Sequence, residues 1–135
     1  KKKAVDKHFA AYEDDGGSGR PFGLHAGVSL AGAKLLAPLQ AALYPMGAGA
    51  FRRDDVVGSG DLHDLEDSGV PSFEPWIDSA DYFNYHHTPA DTFDKVNPEN
   101  LRRHVAVMAT TAWFLANMDQ PLGRANAATD AKAAN

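Results

Sequence analysis

Short apolar runs alternate with glycine- and acid-rich breaks along most of the chain, and one long stretch of helical periodicity closes it. His8-Phe9-Ala10-Ala11-Tyr12 is apolar and aromatic and stops at Glu13-Asp14-Asp15, a pattern that predicts a buried strand ending in an acidic loop. Asp14 to Gly19 has loop composition. Phe22 to Val28, bounded by Pro21 and Ser29, predicts a second strand, and Ser29 is then placed to cap a helix. Leu35, Leu36, Leu39 and Leu43 form an apolar stripe at helical spacing, interrupted by Pro38. An interior proline removes a backbone bond and clashes with the preceding turn, so a kink is expected, or two short helices with Pro38 opening the second.

Gly47 to Gly60 is glycine-rich around a charged patch, Arg52-Arg53-Asp54-Asp55. Asp61 to Asp67 is expected to form a short helix closed by Gly69, and Val70 to Ile77 a strand carrying Trp76. The last helix has the clearest signals. Asn97 caps it, Pro98 takes the first helical position, and Glu99 favours the positive end of the helix dipole. Leu101, Val105, Met108, Ala112 and Leu115 recur in steps of four and three, which predicts the core-facing side. His104 lies off that stripe and is expected to face solvent. Past Met118 the chain turns polar and Ala/Asn-rich, so 1–118 is read as the folded portion and 119–135 as a disordered polar tail.

Strands alternating with helical stretches indicate a layered α/β domain. Ligands in such sheets sit at the carboxyl ends of strands. Asp15 and His87 each fall just after a predicted strand, so they can converge on one edge.

A length of 135 residues is that of one domain with a real core, and 44% apolar content is ordinary for one. The net charge of −5 argues against nucleic acid as a partner, because phosphate binding needs clustered Lys and Arg. No apolar run approaches the ~18 residues of a membrane span, so no membrane partner is expected. Lys1-Lys2-Lys3 is charged without the apolar core of a signal peptide, and any targeting segment is expected outside this chain. Absence of cysteine rules out disulfides and thiolate metal sites.

Without thiolates, carboxylate and neutral imidazole are the usual ligands for zinc. Glu13-Asp14-Asp15 supplies carboxylates, although a solvated acidic turn is the commoner use of such a cluster, and the alternating spacing of a calcium loop is missing. His86 and His87 are adjacent, so on an extended backbone only one can face a given metal. Asp91 fits a carboxylate receiving the other N–H of a metal-bound histidine, and it equally fits local capping of a turn with Thr92. His8, His25, His63 and His104 receive no role. Serine catalysis finds no support, since Ser59 in Gly58-Ser59-Gly60-Asp61 lacks the nucleophile-elbow pattern. A catalytic zinc usually keeps three protein ligands, so these residues amount to part of a metal site.

Glu13-Asp14-Asp15-Gly16-Gly17 followed by Arg20-Pro21-Phe22-Gly23 resembles the segment of M28-family zinc peptidases that carries a late metal-binding aspartate, closest to the carboxypeptidase Q-like branch. Tyr85-His86-His87-Thr88-Pro89-Ala90-Asp91-Thr92, with Asp94-Lys95-Val96-Asn97-Pro98 after it, resembles the family's last metal-histidine motif and the start of its C-terminal helix. Gly58-Ser59-Gly60-Asp61-Leu62 and Ser68-Gly69-Val70-Pro71 resemble the glycine-rich acidic turn and following strand between them. The three matches occur in order over roughly Lys7 to Met118.

The resemblance implies part of a three-layer αβα zinc-exopeptidase domain with a mixed sheet. Asp15 would bind one of two zinc ions and His87, the histidine directly before Thr88, the other. Asp61 would stand nearby as a structural or substrate-facing acid, and Asp91 would support the histidine. Family members place a His, a bridging Asp and a Glu-Glu pair upstream of the Asp15 position, and no such set precedes Asp15 here. The chain therefore resembles the C-terminal half of a catalytic domain. The general base is expected in the missing half, and no catalytic residue is expected in this chain.

In the complete enzyme so implied, two zinc ions activate a shared water, a glutamate takes its proton, and a terminal residue is removed from a peptide or dipeptide. This chain alone is expected to be inactive and to need the missing N-terminal half, or to self-associate through its uncovered surface. Two other readings remain at this point: a non-catalytic binding or scaffold module on the same fold, and part of a single-zinc acyltransferase of the glutaminyl-cyclase type. Secreted or periplasmic origin is the expectation from relatives of this kind.

Overall fold

A computed structural model describes residues 2–125, with side chains from Ala4 onward. Its elements are α1 (Lys2–Val5), β1 (Ala11–Tyr12), β2 (Pro21–Gly27), α2 (Leu30–Lys34), α3 (Ala37–Leu43), β3 (Ala50–Asp54), α4 (His63–Glu66), β4 (Ser72–Ile77), α5 (Tyr82–Tyr85) and α6 (Pro98–Ala116), with short 3-10 turns between some of them. The four strands form one mixed sheet in the order β1-β4-β2-β3. β1 runs parallel to β4, β4 antiparallel to β2, and β2 parallel to β3. This is the mixed α/β architecture expected of an αβα peptidase domain.

Local chemistry sets most of the boundaries. Ser29 accepts the Gly32 N–H at 3.0 Å and starts α2. Pro38 splits the Leu35–Leu43 stripe into two helices, sitting in the first turn of α3, where a missing N–H costs nothing. Asn97 Oδ1 accepts the N–H groups of Glu99 and Asn100 and opens α6. Gly69, at φ 73°, ends the α4 turn in the left-handed region that glycine tolerates best.

Alternation along the strands divides the sheet into two faces. Leu24, Ala26 and Val28 from β2 and its end share one face with Phe73 of β4, and Leu36, Leu39, Leu43, Val107 and Leu115 of the helices close over it. The other face carries a polar row. His25 lies opposite Glu74 on one side and Arg52 on the other, and Phe22 packs on Trp76 beyond them, ring centroids 5.0 Å apart.

Three sequence expectations are corrected. Gly47 to Gly60 is not only a glycine-rich charged segment: it contains β3, in which Arg52, Arg53 and Asp54 follow Ala50 and Phe51 and whose backbone is recruited by parallel pairing to β2. On α6 all of the stripe read as core except Leu115 faces outward. Leu101, Val105, Met108 and Ala112 are exposed, and the buried side is His104, Val107, Thr111 and Leu115. His104 is therefore not solvent-facing but buried. Within the segment read as a polar tail, Leu122 is buried in the core and the Ala125 N–H bonds to the Gly69 carbonyl. The remainder of that segment, 126–135, lies outside the described residues. No helix among the described residues is long and apolar enough to cross a membrane.

Candidate active site

β1 and β4 are parallel, so both run out at the same edge of the sheet. The loop after β1 and the segment after β4 meet there around a cleft of about 310 Å³. Asp14, Asp15 and Ser18 come from the first loop, Tyr82, His86, Asp91 and Lys95 from the second segment, and Leu101 and His104 from α6. The two loops are tied together: Ser18 Oγ donates to the Lys95 carbonyl, and Asn100 Nδ2 donates to the Ser18 carbonyl, each at 3.0 Å.

The wall behind Asp14 is built on His104. Its Nδ1 faces the Asp14 carboxylate at 2.8 and 3.0 Å, and its Nε2 donates to the Gly19 carbonyl at 2.7 Å. Both partners are acceptors, so the ring needs a proton on each nitrogen. The Asp14 carboxylate accordingly holds the His104 pKa above the usual imidazole value, against the opposing effect of burial. Gly19 has no room for a side chain, since a Cβ there would stand 1.7 Å from the Asp78 carbonyl oxygen. The acidic loop is thus fixed to α6 on one side and to the end of β4 on the other.

Nothing local in the sequence marks this pair beyond the carboxylates of the acidic triplet, because Asp14 and His104 are far apart in the chain and His104 lies off the apolar stripe of α6.

Asp15 is exposed at the mouth of the cleft. Tyr82 OH donates to the Asp15 carbonyl at 3.4 Å and lies 3.5 Å from His86 Nε2. Burial, and then the negative charges of Asp15 and Asp91, push the Tyr82 phenol up, so it stays protonated as a donor. Asp15, Asp91 and Tyr82 therefore line one cleft.

The histidine pair differs from expectation in two ways. His86 and His87 follow a helix, α5, and not a strand. Their rings do not point to opposite faces but stack, with centroids 3.8 Å apart and planes 22° apart, on the Tyr82 ring, which lies 4.4 Å from that of His86. A left-handed backbone at His87, φ 57°, reverses the chain and brings the second ring back over the first. His86 lines the cleft while His87 is exposed behind it.

Asp91 makes no hydrogen bond to His87 among the described residues. The turn between them is held by Thr88 instead, whose Oγ1 donates to the Tyr85 carbonyl and accepts the Ala90 N–H. Asp61 stands exposed in the turn before α4 and does not line the cleft. The sequence assigns no role to Tyr82, and the resemblance selects His87 over His86. The aromatic run Tyr82-Phe83-Asn84-Tyr85 was the available hint.

The donor types suit zinc but do not complete a site. Among the described residues no group of three or more His, Asp or Glu side chains is placed to hold a metal ion.

A second ionic cluster lies on the polar sheet face. His25 Nδ1 faces Glu74 and Nε2 faces Asp54, each at 2.7 Å, and Arg52 Nε donates to Asp54 at 2.6 Å. The Glu74 carboxylate raises the His25 pKa despite burial, and the His25 hydrogen bond lowers that of Asp54. The two carboxylates sit at opposite ends of one ring, which is the geometry of a charged clasp across β3, β2 and β4. His25 and His104 are both raised in the folded state. Their stabilisation is complete below the unfolded histidine value of 6.5 and is lost as pH rises through the folded values. Asp54 works oppositely, contributing above 3.8 and losing its contribution as pH falls. The urea midpoint is expected to be highest between about pH 4 and about pH 6.5 and to decline toward about pH 9. A midpoint that is flat or rising across the alkaline half of that range would contradict the two charged imidazoles.

No family model matches the chain. Over 126 residues it is 27% identical to carboxypeptidase Q of Mus musculus, covering 91% of this chain and 26% of that protein. The match to carboxypeptidase Q of Rattus norvegicus is 27% over 123 residues, with the same coverage. A solved structure, the peptidase M28 precursor from Shewanella amazonensis, superposes with a TM-score of 0.81 at 36% identity, over 90% of this chain and 27% of that one. The chain spans about a quarter of the length of the proteins it matches. Sequence and fold together relate it to a peptidase-like domain.

Proposed function

We propose that this chain, similar in sequence and fold to part of M28 peptidases, supplies one part of the active site of a co-catalytic zinc exopeptidase acting on peptides or dipeptides. Asp15 offers its carboxylate to one metal and His87 its imidazole to the other. Asp91 adds negative charge to the same cleft and Tyr82 a neutral donor beside it. The observation that carries this reading is that Asp15, Asp91 and His86 line one cleft at the shared carboxyl edge of β1 and β4, with the His87 ring stacked on that of His86. A left-handed backbone at a non-glycine residue costs free energy and is concentrated at functional sites. Its occurrence at His87, within the resembling motif, favours a ligand role over a scaffold that needs no such residue.

The remaining ligands and the general base belong to residues outside this chain, so the chain alone is read as inactive. Asp61 carries no role in this proposal, since it stands apart from the cleft.

A zinc titration followed by the imidazole resonances tests the assignment. Weak binding that shifts His87, is abolished by His87→Ala and is weakened by Asp15→Asn is the expected result. Shifts confined to His8 or His63, with His87 unmoved, would remove the basis for the proposal.

A further inference from the structure

Tyr82 touches both segments that carry the proposed metal ligands, and it does so through different atoms. Toward the acidic loop its contacts are with backbone. The hydroxyl donates to the Asp15 carbonyl at 3.4 Å. The ring lies against Gly17, where a Cβ would stand 2.8 Å from Tyr82 Cδ2 and where φ is 89°, so both the space and the backbone ask for glycine. Toward the histidines the contact is ring on ring. His86 stacks on Tyr82 with centroids 4.4 Å and planes 28° apart, and His87 stacks on His86. His86 Nε2 also lies 3.5 Å from the hydroxyl, and a phenol can accept from it while donating to Asp15.

The two segments depend on such a link. Among the described residues, the other hydrogen bonds of Asp14 to Gly19 run to Lys95, Asn100 and His104, and none reaches the histidines. α5 is a single turn of four residues, too short to keep a fixed shape without tertiary contacts. His87 adds a left-handed backbone, which costs free energy and persists only where its surroundings determine it. Thr88 pins the chain beyond it, and the stack on Tyr82 and His86 pins its ring. Between Asp81 and Asn84 only Tyr82 is shielded from solvent; its neighbour Phe83 is 80% exposed and provides no anchor.

We infer that Tyr82 is a positioning residue that sets His87 relative to Asp15, its ring carrying the histidine pair while its hydroxyl and its contact with Gly17 carry the acidic loop. The inference rests on the ligand roles proposed above and adds to them the residue that fixes their spacing. Ring and hydroxyl have different duties, so substitutions separate them.

The test uses the 135-residue chain, first without metal. Tyr82→Leu removes ring and hydroxyl, and it is expected to move the ring resonances of both histidines together with the Gly16 amide, whose peptide unit includes the Asp15 carbonyl. His86 touches the tyrosine directly, so His87 is the deciding signal. Tyr82→Phe keeps the ring and should move the Gly16 amide while leaving His87 in place. Gly17→Ala acts from the loop and should still move both histidine rings, because the new Cβ displaces Tyr82. A His87 ring unmoved by Tyr82→Leu would overturn the inference. Should that variant not fold, histidine rings unmoved by Gly17→Ala would do the same.

Zinc ion alone is then titrated. Tyr82→Leu is expected to weaken the response of His87 by about tenfold, the low end of what losing a support of a metal ligand costs, and Tyr82→Phe to restore most of it. In the Tyr82→Leu background, adding Asp15→Asn should no longer shift the His87 curve, since the two ligands are then uncoupled. A general loss of stability would lower affinity without uncoupling them, so a His87 curve equally sensitive to Asp15→Asn with and without the tyrosine would also overturn the inference. The two ideas fail separately: histidine signals tied to Tyr82 with no zinc response keep the positioning role and sink the metal reading.

Discussion

Truncating Phe73 to alanine should lower the stability of this chain by about 3–5 kcal/mol, the range for removing a large buried aromatic. Phe73 is 0% exposed and sits in β4, the strand that hydrogen-bonds to both β1 and β2. Its ring fills the centre of the face on which α3 and α6 close. Total stability of a domain this size is of order 5–15 kcal/mol, so the variant should lie close to unfolding at room temperature. Urea denaturation followed by circular dichroism would measure it. A cost under about 1 kcal/mol would be that of a surface position and would contradict the central place of β4.

Replacing His104 with alanine should cost about 3 kcal/mol, although nothing in its sequence context marks it as structural. The substitution leaves the largely buried Asp14 carboxylate without its cation and the Gly19 carbonyl without its donor. Breaking one side of such a pair is worse than removing both. Asp14→Leu with His104→Leu should therefore recover part of the loss, because two apolar groups remove the stranded charge. If the double variant were less stable than His104→Ala, the ion pair would be contributing something other than mutual charge compensation. The same cluster holds the loop that presents Asp15, so His104→Ala should also weaken any zinc response of the cleft.

Elements bounded by a local chemical signal were legible in the sequence. Ser29, Pro38, Asn97 and Gly69 act within a turn of themselves, and each sits where that chemistry placed it. Elements that depend on a distant partner were not. β3 exists because β2 runs beside it, and its three consecutive charged residues, Arg52, Arg53 and Asp54, give no strand alternation to read. Periodicity on α6 correctly found an apolar stripe, but it carries no information on which side the rest of the chain lies. The buried side of α6 includes His104 and Thr111, which is readable only once Asp14 and Gly19 are known to face it.

The site divides the same way. Asp15 and Asp91 both line the cleft, each on a loop or turn whose position after a strand or helix is a local property. The stacking of His86 on His87 follows from a single left-handed residue that composition cannot reveal. Tyr82 joins them only because α5 folds back over the loop after β1.

The central claim is that this chain holds an incomplete zinc site, one ligand for each of two metals. Elemental analysis of the purified 135-residue chain tests it most directly. The sample would be equilibrated with zinc, passed through gel filtration, and checked for intact mass. Well under one zinc per chain is predicted, rising only when the complementary polypeptide is bound. Two zinc ions retained by the chain alone would contradict the account, because its described residues would then contain ligand sets that the cleft does not provide.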